Sequence, residues 1–293
     1  QSTSGYRNTD WMGSLPATRR LSEISMPGTH DSMSFYGGDI VQTQSLPLAE
    51  QLASGVRALD IRCRHYYDTF TIHHGFVYQN ANFDDVLITV QEFLQSHPNE
   101  TVLMRVKEEY NAEGTTRSFA DTFAMYKQRY PSLFWSYTGN NPTLGEARGK
   151  IVVLQNFASN QQQGLAWGTL NIQDDYQLST NWDLYNKWGA VKQQLANASS
   201  GNTNTFYVNF LSGAVGSFPY FVASGKSSPG DGAPLLSTGL TTPLFKSYYP
   251  DFPRVACFWG MCTIAFEGTN MLTSERLHGY GRVGIIMADF PGK

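Results

Sequence analysis

The chain has 293 residues, of which 41% are hydrophobic and 15% charged, with a formal net charge of −3. This composition excludes a disordered chain, and the charge balance gives no electrostatic reason to expect a nucleic-acid partner. No stretch reaches the length of a bilayer-spanning helix.

In chain order, Ser22 to Met26 reads as a short strand. Gly55 precedes a second strand from Val56 to Arg62, and Thr69 to His73 makes a third. From Asn82 onward, Phe83, Val86, Leu87, Val90, Phe93 and Leu94 recur at helical spacing, with Asn82 as N-cap and Pro98 as the stop. Glu100 to Lys107 reads as a strand buried on both faces. A helix over about Arg117 to Tyr130 follows, and then a strand from Lys150 to Leu154. The second half is less regular: Trp182 to Ala198 reads as helix, Thr205 to Phe210 and Arg282 to Ala288 as strands, and Ser224 to Thr242 as a surface excursion. Repeated strand–helix–strand units predict a parallel sheet. With no repeat and no linker, one α/β domain over residues 1–293 is the expected organisation.

Ionisable residues fall at the expected strand ends. His30 and Asp31 follow the first strand, Asp60 and Arg62 share a face of the second, and His74 ends the third. Lys107 ends the fourth and Asp289 the last. In a closed parallel barrel all of these ends open on one rim, where active sites are built. A lone histidine is more often a hydrogen-bonded structural residue, so the weight rests on the convergence.

The segments Ile24-Ser25-Met26-Pro27-Gly28-Thr29-His30-Asp31-Ser32, Asp60-Ile61-Arg62 and His73-His74-Gly75 resemble the catalytic segment of the bacterial phosphatidylinositol-specific phospholipases C. Leu144 to Val152 and Arg282 to Asp289 are similar as well, whereas Gly225 to Gly281 matches weakly. The resemblance implies a single distorted (β/α)8 TIM-type barrel and a phosphodiesterase releasing diacylglycerol and a cyclic inositol phosphate. Because the attacking inositol hydroxyl is tethered to the phosphorus, the reaction needs chiefly a base, an acid and positive charge. The family pattern makes His30 the base with Asp289 behind it, and His74 the acid coupled to Asp31. Arg62 would hold the phosphate, with Asp60 orienting the base or the guanidinium. Lys107, Asp174 and Tyr176 would bind the headgroup. The family's inositol-binding arginine is replaced by Asn156, which puts the identity of the headgroup in doubt.

Arg62 and Lys107 stand where calcium-dependent relatives carry acids, a poor setting for a hard cation, so neither a metal nor any other cofactor is expected. The resemblance also implies a secreted monomer that meets phosphatidylinositol-containing membranes transiently, and the start at Gln1 is consistent with a processed form. Candidate membrane-contacting residues are Phe35, Tyr36, the aromatics of Phe218 to Phe221, and Cys257 to Cys262. The last segment reads first as a buried strand and second as a disulfide-pinned wedge; two reduced core thiols fit its cysteines equally. Cleavage of glycosylated phosphatidylinositol anchors and a non-catalytic lipid- or inositol-binding barrel remain as alternatives.

Overall fold

The computed structural model describes residues 5–230, 232–241 and 249–292. In chain order the first half contains β1 (Met26–Thr29), α1 (Leu48–Ala53), β2 (Ala58–Tyr66), β3 (Thr69–His74), β4 (Val77–Asn82), α2 (Phe83–Ser96), β5 (Val102–Glu108), α3 (Phe119–Arg129), α4 (Leu144–Ala147) and β6 (Ile151–Asn156). Short strands β7 (Leu165–Ala166), β8 (Asn171–Gln173) and β9 (Gln177–Leu178) precede α5 (Leu184–Ser200), β10 (Tyr207–Phe210), β11 (Ala214–Val215) and α6 (Pro219–Ser224). The chain finishes with β12 (Ser237–Thr241), β13 (Arg254–Phe258), β14 (Met261–Ala265), α7 (Thr269–Arg276) and β15 (Ile285–Ala288).

Parallel strands run β7-β6-β5-β2-β1-β15-β10-β8 around the barrel. Strands β7 and β8 are the two ends of that path, so the barrel curls without closing through its ladder. This is the distorted TIM-type arrangement that the sequence led us to expect. Helix α2 shows why local sequence and packing agree. Asn82 N–H donates to Asp85 at 2.8 Å, and Phe83, Val86, Leu87, Val90, Phe93 and Leu94 are all buried. These six residues form one apolar face against β2, β3 and β5.

A second core fills the barrel interior with Met26, Leu103, Val152, Val208 and Met287, and a third packs α5 and α6 beneath Phe252 and Phe266. Close approach of the central strands requires Gly28: a Cβ there would lie 2.9 Å from Ala58 Cβ and 2.5 Å from Met287 Sδ. Arg57 and Glu100, both fully buried, pin the starts of β2 and β5 together at 2.8 Å.

Four expectations need correction. Residues Leu21–Glu23 form a 3-10 turn, and the strand begins only at Met26. The third strand is not a parallel barrel strand: β3 pairs antiparallel with β2 and β4, because β2 runs on past the rim and folds back through Tyr67 and Asp68. Cys257 to Cys262 is no buried strand. It forms the tip of the β13–β14 hairpin, closed by a Cys257–Cys262 disulfide, with Phe258 70% and Trp259 87% exposed. Within the tract Ser224 to Thr242, part of the expected surface excursion is strand β12, paired with β14; Asp231 and Thr242 lie outside the described residues.

Candidate active site

Strand register assembles the centre. Parallel β1 and β15 match Thr29 with Ala288, so the next residues out, His30 and Asp289, emerge side by side. Thr29 also matches Leu59 on β2, which places Asp60 beside His30. Asp60 pairs with Arg105 on β5, and Arg62 with Lys107. His74 reaches the same place by the returning arm of the hairpin. Asp60 and Arg62 sit mid-strand for the same reason, since β2 continues to Tyr66.

His30 Nδ1 lies 2.7 Å from Asp289 Oδ1. Burial acts to lower the His30 pKa, but the Asp289 charge and hydrogen bond prevail and raise it. The ring also meets Phe210 edge-on, with centroids 5.7 Å apart. This fixes the face that His30 presents to the rim.

Asp31 occupies a left-handed backbone conformation (φ 39°), and its N–H donates to Asp60 Oδ2 at 3.0 Å. Its carboxyl group is buried, and no directional hydrogen bond reaches either oxygen among the described residues. Burial pushes this group up to about 7; Arg62 opposes the shift and Asp60 reinforces it. His74 Nδ1 sits 3.1 Å from Asp31 Oδ2 and 3.1 Å from Ser34 Oγ. Burial, followed by the Arg62 and His30 charges, pushes His74 down to about 4. Both shifts favour the uncharged form of the group, as burial of each demands.

Arg62 donates from Nε and Nη2 to Asp60 Oδ2 at 3.3 and 2.9 Å and lies 3.8 Å from Asp31 Oδ2. Burial works against its charge, and Asp60, Asp31 and Glu109 more than offset that. Burial likewise resists ionisation of Asp60, but Arg62 and Arg105 hold its carboxyl far below the usual range.

Lys107 is present at the rim but pairs with Glu109 at 2.7 Å. Asp174 and Tyr176 lie exposed on the loop after β8, with Asp174 near enough to act on Arg105 by charge. The structure therefore brings together His30, Asp31, Asp60, Arg62, His74 and Asp289, with Lys107 beside them and the β8 loop farther out.

Sequence reasoning missed Arg105, Glu109 and Ser34. Arg105 shares a strand face with Lys107, and that i, i+2 relation was the available signal. Its donors reach Asn156 Oδ1 at 3.0 and 2.7 Å and Asp60 Oδ1 at 3.3 Å. Asn156 thus stands against a guanidinium contributed by the neighbouring strand. Among the described residues, no three His, Cys, Asp or Glu side chains are grouped so as to hold a metal ion, and no helix is long and apolar enough to cross a membrane.

The family described as phosphatidylinositol-specific phospholipase C, X domain, matches residues 22–157. The 1-phosphatidylinositol phosphodiesterase of Staphylococcus aureus (strain Newman) is 34% identical over 241 residues, covering 71% of this chain and 76% of that protein. The same-named protein of Listeria monocytogenes is 34% identical over 221 residues, covering 69% and 67%. Among solved structures, a variant of the S. aureus phosphatidylinositol-specific phospholipase C superposes with a TM-score of 0.71 at 27% identity, covering 100% of this chain and 93% of that one. The L. monocytogenes enzyme gives 0.70 at 26% identity, covering 97% and 94%.

Proposed function

This chain belongs to the bacterial phosphatidylinositol-specific phospholipase C family, and we propose that it cleaves phosphatidylinositol by histidine acid–base chemistry. The observation that carries the reading is a pair of histidines, each with its own acidic partner, and Arg62 near enough to act on both by charge. Here His30, its basicity raised by Asp289, takes the proton of the inositol 2-hydroxyl as its oxygen attacks phosphorus. Arg62 stabilises the phosphoryl oxygens through donors that Asp60 leaves free. His74 gives its Nε2 proton to the leaving glycerol oxygen, with Asp31 Oδ2 3.1 Å from its Nδ1. Burial that pushes the ring down to about 4 makes its protonated form a strong acid toward the leaving oxygen. The products are diacylglycerol and an inositol 1,2-cyclic phosphate.

Lys107 at the rim and Asp174 and Tyr176 on the exposed loop after β8 are proposed as headgroup contacts. We assign catalysis to one domain over residues 1–293, working outside the cell as a monomer on membrane surfaces. Fixed guanidinium charge at Arg62 replaces a divalent cation, so activity needs no metal. Membrane contact comes from apolar side chains on two parts of the surface. Tyr36, Ile40 and Phe76 are exposed around His74, and buried Gln79 bonds the Phe35 and Tyr36 backbone to hold that loop. Phe258 and Trp259 project from the disulfide-closed hairpin. From its second strand the chain passes into α7, where Asn270 donates to the Asp289 carbonyl at 2.8 Å. Phe35 is partly buried against the core, Phe221 is buried, which removes it from the candidate contacts, and Phe218 stays exposed.

The test is phosphorus NMR of the products from phosphatidylinositol vesicles in excess chelator. A cyclic inositol phosphate as first product, lost in His30→Ala, is the expected result. Turnover abolished by chelator, or retained in His30→Ala, contradicts the mechanism.

A further inference from the structure

We propose that Arg105 is a positioning residue that occupies Asp60 from the side opposite Arg62 and so leaves the Arg62 charge available to the substrate phosphate. The inference rests on the phosphodiesterase reading and adds a residue that the acid–base scheme does not use.

The argument is a distribution of charges. Glu109 is matched by Lys107 at 2.7 Å, and Asp289 by His30 at 2.7 Å. Asp60 is a fully buried carboxylate, and were Arg62 its only cation the two would form a closed pair with little field left for a phosphate. Arg105 prevents that. Asp60 divides its oxygens, with Oδ1 accepting from Arg105 and Oδ2 from Arg62 and the Asp31 N–H. Arg62 Nη1 makes no hydrogen bond among the described residues, so a donor is left for the phosphoryl group.

Arg105 cannot itself swing out to take Arg62's place. Its guanidinium lies 4.2 Å above the Trp167 ring and 5.9 Å from Phe210, and two of its donors are spent on Asn156 Oδ1. Phe210 is the ring that meets His30 edge-on. One immobile cation therefore underlies the base, the phosphate arginine and the turn carrying Asp31. Lysine could keep the charge but not the planar fork spanning Asp60 and Asn156.

The experiment compares wild type, Arg105→Met and Arg105→Lys on phosphatidylinositol vesicles, with inorganic phosphate and myo-inositol as inhibitors and the thermal midpoint as folding control. Loss of one charge-assisted contact predicts phosphate inhibition about tenfold weaker or more in R105M, with myo-inositol inhibition within about twofold of wild type. R105K is expected to fall between the two. Equal weakening of both inhibitors, or unchanged phosphate inhibition, in a folded R105M or R105K overturns the proposal. A wild type that does not cleave phosphatidylinositol overturns instead the reading on which it rests.

Discussion

Replacing Asp31 by asparagine is expected to stabilise the protein at alkaline pH while disabling it. The Asp31 carboxyl group is fully buried, makes no directional hydrogen bond among the described residues, and is pushed up to about 7 from 3.8. A carboxyl whose folded pKa is raised keeps a proton that the unfolded chain has already lost. Stability therefore falls as pH rises from about 4 to about 7 and stays low above that. A shift of about 3 units at 1.36 kcal/mol each gives an upper figure of ~4 kcal/mol, and relaxation around a coupled pair reduces it to about 2–4 kcal/mol. Asparagine imitates the protonated form at every pH. Urea denaturation at pH 5 and pH 8 should show D31N gaining on wild type as pH rises, with phosphatidylinositol cleavage reduced by about 100-fold because His74 loses its carboxyl partner. A D31N protein less stable than wild type by the same amount at both pH values refutes the assignment of Asp31 as a strained, proton-holding group.

Other predictions concern separate parts of the molecule. In Asp289→Asn the charge that raises the His30 pKa is removed, burial then dominates, and the acidic limb of kcat/KM should move to lower pH; a limb that stays or moves up contradicts the pairing. Phe258→Ser with Trp259→Ser should weaken vesicle binding and vesicle turnover by about tenfold or more, leaving hydrolysis of soluble inositol 1,2-cyclic phosphate unchanged, as sedimentation and phosphorus NMR can measure. Equal loss on both substrates would place the hairpin in the chemistry rather than at the membrane. Glu100→Ala strands the buried Arg57 guanidinium and should cost about 3–5 kcal/mol in urea denaturation.

Most of the proposed catalytic constellation could be placed from the chain because parallel register is simple. His30 and Asp289 stand just beyond the ends of β1 and β15, so strand ends predicted that they meet, and Asp60 lies level with them inside the longer β2. His74 was legible as a partner but not by the right route. Its strand looked like another barrel strand, and only the antiparallel pairing of Cys63 with Ile72 shows the chain doubling back to the rim. Arg105 offered only its i, i+2 relation to Lys107; its meaning lies in Asp60, Asn156 and Trp167, which come from other elements. The hairpin tip misled for the opposite reason. Cys257-Phe258-Trp259-Gly260-Met261-Cys262 has the composition of a core strand, but Trp259 and Gly260 at positive φ make it a turn. Its aromatic side chains are exposed rather than buried in the barrel.

The central claim is that the two histidines have different jobs, and substrates differing only in leaving group separate them. Turnover of His30→Ala and His74→Ala is compared on an inositol phosphodiester with an alkyl leaving group and on one with a p-nitrophenyl group, which departs without a proton. His74→Ala should lose about 1,000-fold or more on the alkyl substrate and recover most of that on the nitrophenyl substrate, while His30→Ala loses as much on both. Equal losses for His74→Ala on the two substrates, or recovery in His30→Ala, would contradict the assignment.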